Sequence, residues 1–115
     1  MLVGVALFEI HIGHARSLKE KRAVVRSLRE KIRNRFEISA AEVGAQDLHQ
    51  RGRIGISFVT LDSQGADRMF QAVSRYVEAN AGDSALVGWT QEVLEFDETM
   101  SLGIPHIEWT DEENS

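Results

Sequence analysis

Apolar residues recur along this chain with two different periods, and the order in which those periods alternate restricts the fold to few topologies. Four segments rich in β-branched and aromatic residues are typical of strands, namely 2–12, 37–45, 53–61 and 85–96. Two segments between them, 17–36 and 62–80, place their apolar residues along one side of a helix. The predicted order is βαββαβ. With right-handed crossovers this order predicts an α+β, ferredoxin-like sandwich, with a four-stranded antiparallel sheet and both helices on one face.

Both predicted helices have recognisable ends. Ser17 followed by Glu20 forms the S-x-x-E pattern of a capping box, which marks the start of the first helix. Asp62 and Ser63 offer side-chain oxygens that can cap the second helix, and Gly82 stands where a left-handed residue commonly ends one. These signals support the helix assignments independently of the apolar pattern.

The length of 115 residues predicts one ferredoxin-like domain, residues 1–97, followed by an acidic C-terminal extension, residues 98–115. The absence of cysteine excludes disulfides, thiolate catalysis and cysteine-held metal sites, and no motif for a cofactor is present. The N-terminus lacks the basic region of a signal peptide, and no apolar run approaches the roughly 20 residues of a membrane helix. We therefore expect a cytoplasmic protein that does not bind membranes.

The net charge of −5 hides a strong asymmetry. Residues 16–35 hold nine Lys and Arg against two Glu, a charge of +7, while four basic and sixteen acidic residues elsewhere give −12. At 100° per residue, five basic side chains of the first helix fall within about 80° of one another. We call them the basic stripe: Lys19, Arg22, Arg26, Arg29 and Arg33.

The stripe contains like-charged residues four positions apart, which repel each other, whereas a helix flank built for solubility normally interleaves both signs. This pattern favours an external polyanion over neutralisation within or between subunits, and over simple solvation. We predict RNA or a ribosomal particle as the partner, contacted through backbone phosphates with little reading of bases. The aromatic-rich signature of an RNA-recognition-motif sheet is missing, since GRIGISFV holds Phe58 alone and the pattern does not assign Phe8 to a face.

A protein-interaction or self-associating module is the alternative function. The first and fourth strands carry apolar residues on both faces, and helices on one side of the sheet can cover only one face. On the fourth strand, simple alternation groups Val87 with Trp89 and Val93, and opposes them to Leu86, Leu94 and Phe96. A homo-oligomer formed through the sheet is the expected consequence.

Lys21 differs from the other cations of the first helix, because its angle places it on the inward, apolar stripe. A buried lysine needs a partner, since an unpaired charge in the interior costs several kcal/mol. The predicted topology brings the end of the second strand to the edge where the first helix starts. We therefore predict a structural ion pair of Lys21 with Glu42 or Asp47.

Enzymatic activity is the least favoured interpretation. The histidines His11, His14 and His49 share one rim of the predicted fold, but none has the spacing of a metal motif, so the sequence predicts neither a metal site nor a catalytic residue. The loop GHARS offers Gly13 and Arg16 where acylphosphatases, which share the fold, bind phosphate. It lacks their glycine-rich pattern and a clear asparagine counterpart.

The strings LFEIHI, ARSLKEKRAVVRSLREKIRNRF, AEVGAQD and GISFV together resemble the YlxP-like family of small bacterial proteins, over roughly residues 1–96. The resemblance implies a ferredoxin-like fold and no established enzymatic activity. It also implies a genomic neighbourhood, because members are often encoded beside ribosome-maturation and translation-initiation genes. Members usually stop soon after the fourth strand, whereas this chain continues for almost twenty residues.

The segment from Asp97 to the end of the sequence combines six acidic residues with apolar ones and contains neither lysine nor arginine. Its apolar content exceeds that of a plain disordered tail, and Pro105 prevents a continuous helix or central strand. A loosely ordered terminus is one interpretation. The other is that residues 100–109 dock on an apolar surface, while the acidic end competes with RNA for the basic stripe.

Overall fold

The computed structural model describes residues 1–45, 48 and 50–100. Within them, six elements follow the predicted order: β1 (Leu2–His11), α1 (Leu18–Phe36), β2 (Ser39–Gly44), β3 (Arg51–Thr60), α2 (Ser63–Asn80) and β4 (Ala85–Glu95). The strands form one sheet in the order β2-β3-β1-β4, and every neighbouring pair is antiparallel. The predicted α+β, ferredoxin-like topology is confirmed. In the described part of the chain, no helix is long and apolar enough to cross a membrane.

The core lies between the helices and one face of the sheet. Even-numbered residues of β1 and β3 point toward the helices, because side chains alternate between faces along a strand. The α1 helix packs mainly on β2 and β3, and α2 packs on β4 and β1. Aromatic contacts join the layers, since Phe58 meets Phe70 edge-on at 5.2 Å between ring centroids. The largest fully buried apolar side chains are Phe8, Phe70, Ile10, Ile12, Ile32, Ile54, Ile56, Val25, Val73 and Val77.

The second strand is shorter than predicted. Glu37 adopts a left-handed conformation, with φ of 56°, and its N–H donates a 2.9 Å bond to the Arg33 carbonyl. This residue therefore closes α1 and cannot belong to β2, which begins at Ser39. Beyond Gly44 the strand stops at Ala45, a second residue with positive φ.

The sheet face away from the helices, which we call the open face, is formed by the odd-numbered residues of β1 and β3 and their neighbours on β2 and β4. The expected grouping on β4 is wrong for Val87 and Leu86, because the β1–β4 register shifts between Glu9 and Ile10, where β4 carries one extra residue. Trp89 and Val93 share the helix side, as grouped, and Trp89 stacks on Phe8 with ring centroids 5.6 Å apart. Val87 instead lines a groove with Leu7 on the open face.

The predicted domain boundary at residue 97 follows shortly after the end of β4. The extension begins beside β1, where the Phe96 N–H donates to the Met1 carbonyl at 3.0 Å and the terminal ammonium pairs with Glu98. Residues 101–115 lie outside the described residues, and so does most of the segment expected to dock.

Candidate nucleic-acid interface

The basic stripe occupies one flank of α1, separate from the buried face of the helix. The buried face is formed by Lys21, Val25, Leu28 and Ile32. Four stripe residues, Lys19, Arg22, Arg26 and Arg33, are exposed, and Arg29 is partly buried. From Lys19 to Arg33 the row extends roughly 20 Å at 1.5 Å per residue. The spacing therefore produces a continuous cationic edge on the molecular surface.

Few ion pairs form along this edge. Within residues 1–45, 48 and 50–100, the stripe makes a single ion pair, 3.5 Å between Arg29 Nη2 and Glu30 Oε2 on the same helix. No described carboxylate lies within 4.0 Å of the charged groups of Lys19, Arg22, Arg26 or Arg33. An exposed pair of this kind contributes little stability, so it neutralises the stripe only in part.

The stripe faces the outer edge of the sheet. Arg33 lines a shallow groove together with Ser39 and Ala41 of β2, the edge strand on this side. The opposite flank of α1, including Val24 and Lys31, lines a cavity of about 370 Å³ next to the turn that follows α2. The stripe is therefore directed away from the second helix.

The start of α1 is held by the predicted cap. The Glu20 N–H donates to Ser17 Oγ at 3.1 Å. In the usual capping box, the side chain of the third helical residue accepts from the N–H of the cap residue. Here Glu20 Oε1 accepts instead from the N–H of the preceding residue, Arg16, at 2.6 Å. At the other end, Arg33 and Arg35 occupy the last turn, where the helix dipole favours positive charge. Both ends thus stabilise the helix that carries the stripe.

Lys21 is fully buried, with 0% of its side chain exposed. Its Nζ donates to Glu42 Oε2 at 2.7 Å and to the Ala45 carbonyl at 3.0 Å. Glu42 belongs to β2 and is 19% exposed, so the pair joins α1 to the end of that strand near the surface. Asp47, the other predicted partner, lies outside the described residues, as does His49.

Two arginines of β3, Arg51 and Arg53, form ion pairs on the open face. Arg51 Nη1 lies 3.1 Å from Glu9, and Arg53 Nε lies 3.4 Å from the same carboxylate, all on the open face. The sequence does not reveal this cluster, because it depends on the β1–β3 register that places Glu9 opposite Arg53. These two arginines therefore add less to a phosphate surface than the stripe does.

The structure shows which way Phe8 and Phe58 point, and the sequence pattern had not assigned Phe8 to a face. Phe8 and Phe58 both point toward the helices and are buried, against Trp89 and Phe70 respectively. Neither is available to stack on a base, and no other aromatic residue occurs within β1 or β3. The described sheet thus lacks the stacking platform of an RNA-recognition motif.

Fold and site together define a small ferredoxin-like domain with a cationic helix flank. Residues 3–89 match a family described as "Protein of unknown function (DUF503)". The chain is also 35% identical over 78 residues to the "Uncharacterized protein YlxP" of Bacillus subtilis (strain 168), which covers 68% of this chain and 85% of that protein. The chain belongs to this YlxP-like family, and the expected resemblance is confirmed.

Two solved structures are similar in fold. A de novo designed protein with a ferredoxin fold has a TM-score of 0.47 and 11% identity, over 89% of this chain and 93% of the other. A dimeric ferredoxin-like protein from an uncultured marine organism has a TM-score of 0.42 and 11% identity, over 86% of this chain and 100% of the other. At such low identity these similarities concern the fold alone.

Proposed function

We propose that this protein is a non-enzymatic binding module for RNA, free or within a ribosomal particle, and that the basic stripe of α1 contacts the phosphates. The observation that carries the proposal is the lack of described carboxylates beside four of the five stripe cations. An exposed row of unneutralised charge over roughly 20 Å can meet several successive phosphates of one strand.

The distribution of charge supports this proposal over simple solvation. Arg22 with Arg26, and Arg29 with Arg33, are like-charged neighbours four positions apart, and each such pair costs a few tenths of a kcal/mol in a helix. The protein as a whole is acidic, so a basic edge is not needed to keep its net charge away from zero. A partner that supplies negative charge accounts for both features.

The expected mode of binding is sequence-tolerant. Phosphate contacts fix position and orientation but carry no direct sequence information. Because Phe8 and Phe58 are buried under the helices, base stacking on β1 and β3 is not available. The genomic neighbourhood implied by the family resemblance, beside translation genes, is consistent with an RNA partner.

The test is the salt dependence of binding to a fluorescently labelled single-stranded RNA, measured by anisotropy between roughly 50 and 200 mM salt. Five phosphate contacts on a single strand predict a slope of log affinity against log salt near about −3.5. Affinity should differ little between unrelated RNA sequences. An affinity that does not change with salt, or no binding at the lowest salt, would contradict the proposal.

A further inference from the structure

The open face of the sheet collects most of the large apolar side chains that the described residues expose. Seven of eleven such side chains occur on this face, and they extend from β2 across the sheet to β4. Contiguous apolar patches of more than a few hundred Å² are rare on monomeric proteins and usually mark an interaction surface. The seven residues are Met1, Val5, Val43, Val59, Val87, Leu94 and Phe96.

The central position of β1 strengthens this observation. Its inward residues are buried under the helices, and its outward residues Val3, Val5 and Leu7 are equally apolar. A strand that is apolar on both faces is typical of a strand covered on both faces. Within residues 1–45, 48 and 50–100, only one face of β1 is covered.

The open face also carries charged groups of both signs beside its apolar residues. Glu9 is paired with Arg51 and Arg53 at one end of the face, so one carboxylate serves two guanidinium groups and the cluster keeps a net charge of +1. Glu92, on the edge strand β4, lies directly opposite Val5 of β1 on the same face. Between these groups, Gly55 and Ser57 keep the surface flat beside the apolar residues of β1.

We infer that the open face is a self-association surface, and that two copies of this chain pack sheet to sheet as a two-fold symmetric dimer with β1 at its centre. Isologous contacts of this kind use the same patch on both subunits, so one apolar, flat face is sufficient. Strands of equal twist pack face to face at about −30°, with roughly 10 Å between the sheets.

The available area matches the requirement of a stable dimer. The strands have ten residues in β1 and in β3, six in β2 and eleven in β4, and at about 3.4 Å per residue and about 4.8 Å between strands they give a face of roughly 600 Å². Two such faces bury roughly 1,200 Å², the lower end of the range for specific interfaces. The helices remain on the outside, so Lys19, Arg22, Arg26 and Arg29 of both copies stay accessible, whereas Arg33 lines a groove with Val5 at the margin of the interface. The inference does not depend on RNA binding.

The experiment is sedimentation velocity on the full chain over roughly a hundredfold range of concentration. We expect a mass of twice the chain mass of 12.9 kDa at high concentration, decreasing on dilution. Val5→Glu at the centre of the face, and Val59→Glu on β3, where the side chain is 65% exposed, should each weaken dimerisation by more than about tenfold. Of the two variants, Val59→Glu is less prone to unfold the protein, since the Val59 side chain is largely solvated in the single chain.

Leu61→Glu is the matched control, because Leu61 is 92% exposed in the turn after β3 and the same charge is added outside the face. It should leave the dimer unchanged. The dimer should also persist at high salt, where RNA-mediated association dissociates. A monomeric mass at every concentration overturns the inference and leaves the face to the chain's own C-terminal residues or to another protein. An equal effect of Leu61→Glu also overturns it.

Discussion

Two kinds of cation on α1, the buried Lys21 and the exposed basic stripe, lie in opposite surroundings. Lys21 is fully buried and donates hydrogen bonds to a carboxylate and to a backbone carbonyl. Along the basic stripe, one flank away, a single weak pair with Glu30 is present among the described residues. Lys21 and the stripe residues carry the same charge on the same helix, so they differ in their angular position around the helix axis.

A charge in the interior and a charge at the surface meet different physical requirements. A buried charge without a partner costs several kcal/mol, so the fold must supply Glu42 for Lys21. An exposed charge is solvated by water and imposes no such requirement, so the stripe can remain unpaired in the free protein. Substitutions at the first site should therefore change stability, and substitutions at the second should change binding.

The largest expected effect is on stability, at the buried pair. Glu42→Leu leaves the Lys21 ammonium buried without a carboxylate and should lower the free energy of unfolding by about 3–5 kcal/mol. Lys21→Met removes the charge from the interior and should cost clearly less, since Glu42 is partly exposed and can reach water. Urea denaturation of both variants provides the measurement.

Lys31→Met is the control for this comparison, because Lys31 is an exposed lysine on the same helix and its loss should change stability by at most about 0.5 kcal/mol. If Lys21→Met proves as destabilising as Glu42→Leu, Lys21 stabilises the fold by more than the pairing of its charge. The distinction between the buried lysine and the basic stripe then fails.

The second effect is on binding. Changing Arg26 and Arg29 together to Gln should weaken RNA affinity by about tenfold or more at low salt and flatten the salt slope by about 1.4, because two phosphate contacts are lost. All RNA sequences should be affected alike. Changing Arg68 and Arg75 of α2 to Gln removes the same charge from exposed positions outside the stripe. Equal losses in both double variants would show that only net charge matters.

A third change should affect the helix and leave the stripe intact. Ser17→Ala removes the oxygen that accepts from the Glu20 N–H, and should lower stability by about 1 kcal/mol. The slope of RNA affinity against salt should stay unchanged at temperatures where the protein is folded, because all five cations remain. A flatter slope would mean that binding depends on the precise start of α1.

The smallest expected effect concerns the acidic extension, whose last residues include Glu108, Asp111, Glu112 and Glu113. If this segment competes for the stripe, truncation after Glu98 should tighten RNA binding a few-fold at low salt, since tethering gives a weak competitor a high effective concentration. The gain should disappear at high salt. Unchanged affinity in the truncated protein would exclude the competition.

Much of this molecule follows from local patterns in the sequence. The alternation of periods determines the order βαββαβ, and the S-x-x-E cap determines where α1 begins. Angular positions around a helix depend only on spacing, so spacing alone separates the inward Lys21 from the stripe. Family membership likewise follows from the strings around the first helix, and comparison with known proteins confirms it.

Tertiary structure alone decides which residues of different elements meet. One extra residue in β4 places Val87 on the open face and Leu86 on the helix side, since a shift of one position reverses the side chains beyond it. The register of the rest of β4 places Trp89 on Phe8. The register between β1 and β3 brings Glu9 to two arginines, and the end of β2 brings Glu42 to Lys21. Strand pairings join residues far apart in the chain, and their register is set by the packing of the whole sheet, so local spacing does not contain it.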